Sequence, residues 1–137
     1  MTFQPNYLAV VVAALVGFFL GWIWYTPLFG KQWMAARGIT EQQIADGQKN
    51  MARNMIGVAV GILIMAWALG VLASYLHLAT WMQGLKLGAL AWFGFAFAIG
   101  LIDSVMTPGR KVTAFYIDAA YWLITLVAMG IILSVWQ

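Results

Sequence analysis

Two carboxylates are the residues best placed to do chemistry in this chain, because Asp103 and Asp118 sit at the edges of long apolar stretches. A carboxylate within a hydrocarbon layer is costly and is kept where it has a partner or a task. Arg53, Arg110 and Lys111 are the cations at similar depth, and Asn54 adds a hydrogen-bonding group. Such a set can form an ion-pair and capping cluster, with Asp118 favoured near its helix N-terminus. It can also form a cation, proton or substrate site. A divalent cation held with a phosphate by the two acids is the weakest of these readings, since no motif surrounds them.

Other chemistries have little to stand on. His77 is the single histidine, too few for a bis-histidine haem or a three-ligand zinc site within one chain. The absence of Cys removes thiolate nucleophiles, iron–sulfur clusters and thiolate metal sites. Ser74, Ser104 and Ser134 have no histidine placed to activate them, and no phosphate-binding or dinucleotide glycine motif occurs. The expectation is therefore a protein without catalytic residues, metal or cofactor. Seven basic residues scattered over loops form no basic stripe, so nucleic acid is not an expected partner.

The elements that must position these groups follow from composition. Of 137 residues, 64% are hydrophobic and 8% charged, against about 25% charged in a soluble domain. Polar surface cannot cover such a core, which implies an integral membrane protein. The charges bound four spans, at about 6–27, 54–76, 81–102 and 113–135, each near the roughly 20 residues needed to cross hydrocarbon. Pro27 marks the end of the first, and the third needs Lys86 to snorkel toward headgroups. The fold expected is all-α, one polytopic four-helix bundle over 1–137. No cleavable leader is expected, because no Lys or Arg precedes the first span, and no lipidation motif is present.

Orientation follows from the cations. Lys31, Arg37, Lys49, Arg53, Arg110 and Lys111 fall in the 1–2 and 3–4 connections, leaving only Lys86 for the other side. The positive-inside rule then puts both loops in the cytoplasm and both termini outside, in a bacterial inner membrane. Glu41, Asp46, Asp103 and Asp118 gather at the same face. Trp22, Trp24, Tyr25 and Trp33 would form the cytoplasmic aromatic belt, with Phe3, Tyr7, Tyr75, Trp81 and Trp136 as the outer one. Trp67, Trp92 and Trp122 fall mid-span, to pack, face lipid or line a hydrophobic cleft.

The loop from Leu28 to Arg53 carries Trp33, Met34, Ile39 and Ile44 at spacings that fit a short interfacial helix. Thr40 with Gln43 reads as its capping box, and Gly47 as the residue that interrupts it. Thr26-Pro27 and Thr107-Pro108 follow alternate spans and hint at a duplicated hairpin, an arrangement that in transporters brackets a central site. Gly17 with Gly21, Gly57 with Gly61, Ala66 with Gly70, Gly84 with Gly88, and Ala96 with Gly100 are small faces for helix packing, within the bundle or between copies.

The run from Gly21 through Trp22, Trp24, Tyr25, Pro27, Leu28, Phe29 and Gly30 to Trp33 resembles the opening signature of a bacterial membrane family, domain of unknown function 1761. The likeness continues through Ile39-Thr40 to the aromatic and acidic stretch from Phe115 to Trp122. The resemblance implies a compact four-helix inner-membrane protein and no particular activity. Physically, Pro27 would stop the helix, Gly30 would permit a tight turn, and the aromatic residues would anchor the bend at the headgroups. The leading functional expectation is a structural or accessory membrane protein that forms homo-oligomers or joins a membrane complex, with lipids as partners. The alternatives are an ion or solute transporter or channel using Asp103 or Asp118, and a lipid- or quinone-binding protein or enzyme.

Overall fold

In the computed structural model, which describes residues 4–137, the first helix begins where Asn6 accepts hydrogen bonds from the Leu8 and Ala9 amides at 3.0 and 3.2 Å. That side chain satisfies donors which a helix start leaves without partners. Helix α1 (Tyr7–Ile23) opens a first span that ends at Leu28, one residue past Pro27 and close to the expected limit. It widens into a π-helical turn, Trp24–Leu28, in which the Phe29 amide donates to the Trp24 carbonyl five residues back at 2.9 Å. The wider turn accommodates a proline ring that lacks an N–H and crowds the preceding turn. Phe3, expected at the outer interface, lies outside the described residues.

Two short helices follow, α2 (Gly30–Arg37) and α3 (Glu41–Lys49). Gly30 has no left-handed backbone; a Cβ there would press on the Tyr25 carbonyl, so the glycine serves a close approach. Gly38 closes α2 at φ 68°, and the Ile39 amide reaches back to the Met34 carbonyl at 3.1 Å. The Thr40–Gln43 capping box opens α3 as expected. Gly47 does not interrupt the helix, which runs on to Lys49. The break comes at Asn50, whose side-chain amide donates to the Asp46 carbonyl at 3.0 Å.

Helix α4 (Met51–Tyr75) starts three residues ahead of the expected span and ends in a reversal with His77 at φ 53°. A second capping box, Thr80 with Gln83, opens α5 (Trp81–Ala91). A π-helical turn, Trp92–Phe97, carries the chain into α6 (Ala98–Met106), so this span reaches beyond the expected residue 102. Helix α7 (Val112–Val135) completes four segments long and apolar enough to cross a membrane.

Helix α7 is the hub, packed against α1, α4 and α5, with α2 and α6 at its start. The tightest seam joins α5 to α7: a Cβ at Gly88 would meet the Leu126 carbonyl and Val127 backbone, and one at Gly84 would meet the Gly130 carbonyl. Backbones approach that closely only where side chains are absent. Gly17, Gly21 and Gly70 also face neighbouring side chains, but Gly57 and Gly61 face open space. The core collects toward one end, from Ala9, Ala13, Ile62, Ala66, Leu69, Leu87, Met129 and Leu133. At the other end α4 is exposed from Met51 to Gly61, and α4 and α6 stand apart.

Candidate functional site

The gap between α4 and α6 is a cleft of about 1190 Å³, bounded behind by α1 and α7. Phe18 and Trp22 of α1, Met55, Val58 and Ile62 of α4, Ile99 of α6, and Phe115 and Trp122 of α7 give it apolar walls. Its polar end is built around Asp118, together with Tyr25, Trp33, Arg37, Asp103 and Arg110.

Local structure explains how these residues meet. Each π-helical turn begins with a tryptophan, and both indoles dock on α7 beside Asp118. Trp24 donates to the Ile117 carbonyl at 3.1 Å and Trp92 to the Ala119 carbonyl at 2.8 Å. The widened turns thus lock the first and third spans onto the second turn of α7. Helix α2 is tied down by its backbone, because the Lys111 amide donates to the Ala36 carbonyl at 2.9 Å. Trp33 and Arg37, one helical turn apart on α2, consequently face Asp118 together.

Four donors converge on the Asp118 carboxylate. Its Oδ1 accepts from the Tyr25 hydroxyl at 2.5 Å and the Trp33 indole at 2.9 Å. Its Oδ2 accepts from Arg110 at 2.7 Å and Arg37 at 3.3 Å. Arg110 also pairs with Asp103, whose Oδ1 accepts from the Thr107 hydroxyl at 3.2 Å. Arg37 lies 3.9 Å from Asp103, and its guanidinium sits over the Trp33 ring, 5.0 Å from the centroid. Tyr25 further packs edge-on against Trp33 and Tyr121, with centroids 5.3 and 5.2 Å away. Two arginines thereby balance two aspartates in a cluster backed by aromatic rings.

Of the polar residues expected to cluster, Asp103, Asp118 and Arg110 come together. Arg53 and Asn54 are exposed on the first turn of α4, and among the described residues neither side chain makes an ion pair or hydrogen bond. Lys111 contributes its amide rather than its ammonium. Arg37 joins the cluster although it is not among the residues expected there; its spacing from Trp33, which puts both on one helix face, is the signal for it. The aromatic signature also has a different role from headgroup anchoring: Trp24, Tyr25 and Trp33 turn inward to α7, while Trp22 stays exposed along the cleft. Among the mid-span tryptophans, Trp67 is exposed, Trp92 binds backbone and Trp122 lines the cleft. His77 occupies a reversal at the opposite end, and no group of three metal-ligating side chains occurs among the described residues.

Fold and site together define a multi-pass, all-helical membrane protein whose apolar cleft ends in a neutral ion-pair cluster. The chain belongs to the family described as Protein of unknown function (DUF1761), whose family model matches residues 8–134. The match includes both the aromatic signature and the Asp118 segment that it binds. No curated protein and no solved structure matches the chain.

Proposed function

We propose that this is a binding protein for an amphiphile, which places its apolar part along the cleft and its polar head at the Asp118 cluster. The observation that carries this reading is the cleft itself, about 1190 Å³ of mainly apolar walls with all its charge at one end. Small-molecule pockets run to about 300–1,000 Å³ and combine apolar walls with a few placed polar groups. Met51, Met55 and Met65 on the α4 wall favour adaptable apolar contact. The concentration of cations in the connections at the cluster end supports a cytoplasmic position for it in a bacterial inner membrane, with both termini on the other side.

The test is native mass spectrometry of the protein extracted in mild detergent. A stoichiometric lipid-like adduct is expected, and it should be lost when Val58→Trp and Gly100→Leu narrow the cleft from α4 and α6. Absence of an adduct, or an adduct indifferent to both substitutions, would refute the reading.

A second reading, a structural or accessory protein that self-associates or joins a membrane complex, is favoured by Gly57 and Gly61, where an added Cβ would meet no other part of the protein within 4 Å. Ion or solute transport through Asp103 or Asp118 has less support, because four donors already engage the Asp118 oxygens.

A further inference from the structure

Donors outnumber acceptors at the charged end of the cleft. A guanidinium presents five N–H groups. Arg37 uses one of them, on Asp118 at 3.3 Å, and Arg110 uses two, one on each aspartate. The Arg110 Nε is enclosed by protein with no acceptor, and its side chain is only 3% exposed. Each Asp118 oxygen already accepts two donors, while Asp103, half exposed, holds Arg110 on one oxygen and Thr107 on the other. Donors left without acceptors in an apolar setting are expensive. The Arg110 Nε is out of reach from the cleft, but a group entering it can supply oxygen acceptors to the donors that Arg37 leaves over.

Charge points the same way. The two arginines and two aspartates cancel, but the surrounding connections carry Lys31, Lys49, Arg53 and Lys111 against Glu41 and Asp46. The potential at this end is therefore net positive. Arg37 is the member able to respond: it lines the cleft, its side chain is 35% exposed, and its ionic contacts, at 3.3 and 3.9 Å, are long. Releasing it leaves Asp118 with Arg110, Tyr25 and Trp33.

We infer that the head bound here is anionic and oxygen-rich, a carboxylate or phosphate, and that Arg37 takes it while Arg110 remains clamped between Asp103 and Asp118. This rests on the amphiphile reading above and specifies its chemistry. The planar fork of Arg37 suits two parallel hydrogen bonds to either group.

The experiment uses the full chain in phosphatidylcholine nanodiscs, with the saturable part of the tryptophan quenching, to which Trp22 and Trp122 in the cleft wall contribute, as the signal. The quenchers are dibromostearate, a dibromostearoyl lysophosphatidate and dibromostearyl alcohol, which share one tail. Both anionic amphiphiles should bind about tenfold or more tightly than the alcohol, as charge-assisted hydrogen bonds predict. Arg37→Gln should erase that preference, with the alcohol, which still binds, as the reference within the same variant, and Arg37→Lys should restore part of it. Inorganic phosphate that competes with dibromostearate would support the anion site and assign it to a soluble phosphate; tight lysophosphatidate binding without such competition would assign it to a lipid head. Equal binding of acid and alcohol, or a preference surviving in Arg37→Gln, overturns the head assignment and leaves the cleft reading intact. No saturable quenching by any of the three overturns the cleft reading too, and a dimer that excludes them assigns the cleft to a second copy.

Discussion

Replacing Asp118 with alanine tests whether the cluster holds the polar end of the bundle together. The substitution takes the acceptor from the Tyr25 hydroxyl, the Trp33 indole and one nitrogen each of Arg37 and Arg110. Arg110, with a side chain 3% exposed, is left paired to Asp103 alone. Breaking a buried ion pair by removing one partner costs about 3–5 kcal/mol. Because Asp103 remains and Asp118 is itself 18% exposed, the expected loss is near the lower end, about 3 kcal/mol, or roughly a hundredfold in the folding equilibrium. Asp118→Asn keeps the shape and one acceptor, so it should fall between parent and alanine variant. Glu41→Ala is the control: Glu41 is exposed on α3 with no ion pair among the described residues, and its replacement should stay within about 0.5 kcal/mol. Reversible unfolding in mixed micelles with increasing dodecyl sulfate, followed by tryptophan fluorescence, measures all three. An Asp118→Ala stability indistinguishable from that of Glu41→Ala would refute the argument.

Two further expectations concern backbone geometry. Gly88→Ala should lower stability by about 1–3 kcal/mol, as overpacking does, because its Cβ meets the α7 backbone; Gly57→Ala, in open space on α4, should leave the unfolding midpoint unchanged or raise it by about 0.5 kcal/mol. Equal effects at the two glycines would contradict the packing described here. His77→Gly should stabilise by about 1 kcal/mol by relieving a left-handed conformation at the α4 reversal, visible as a higher melting temperature.

Much of the architecture was legible because the bilayer imposes a simple rule: long uncharged stretches become helices. Four such stretches and the Thr40–Gln43 cap could be read from residue order alone, since spans and caps depend on neighbours in sequence. The details that failed are ones where local preference was overruled. Pro27 does mark the end of the first span, though through a wider turn that closes at Leu28, whereas Gly47 breaks nothing, because a helix tolerates one glycine. Asp103, Asp118 and Arg110 could be suspected as a cluster because charges are rare enough in this chain to be conspicuous. The aromatic signature was visible too, but its inward orientation was not.

The sequence by itself determined the solvent this protein folds in and the approximate limits of its four spans, because transfer of side chains into hydrocarbon is nearly a sum over consecutive residues. Only the tertiary structure decided that Arg37 rather than Arg53 serves Asp118, and that Tyr25 and Trp33 complete its shell. These partners lie 81 to 93 residues away along the chain. Their meeting depends on the two tryptophans that open the widened turns and dock on α7, and on the close approach of α2. The cleft exists because α4 and α6 stand apart in front of α1 and α7. Such geometry is set by contacts between helices, which no single segment carries.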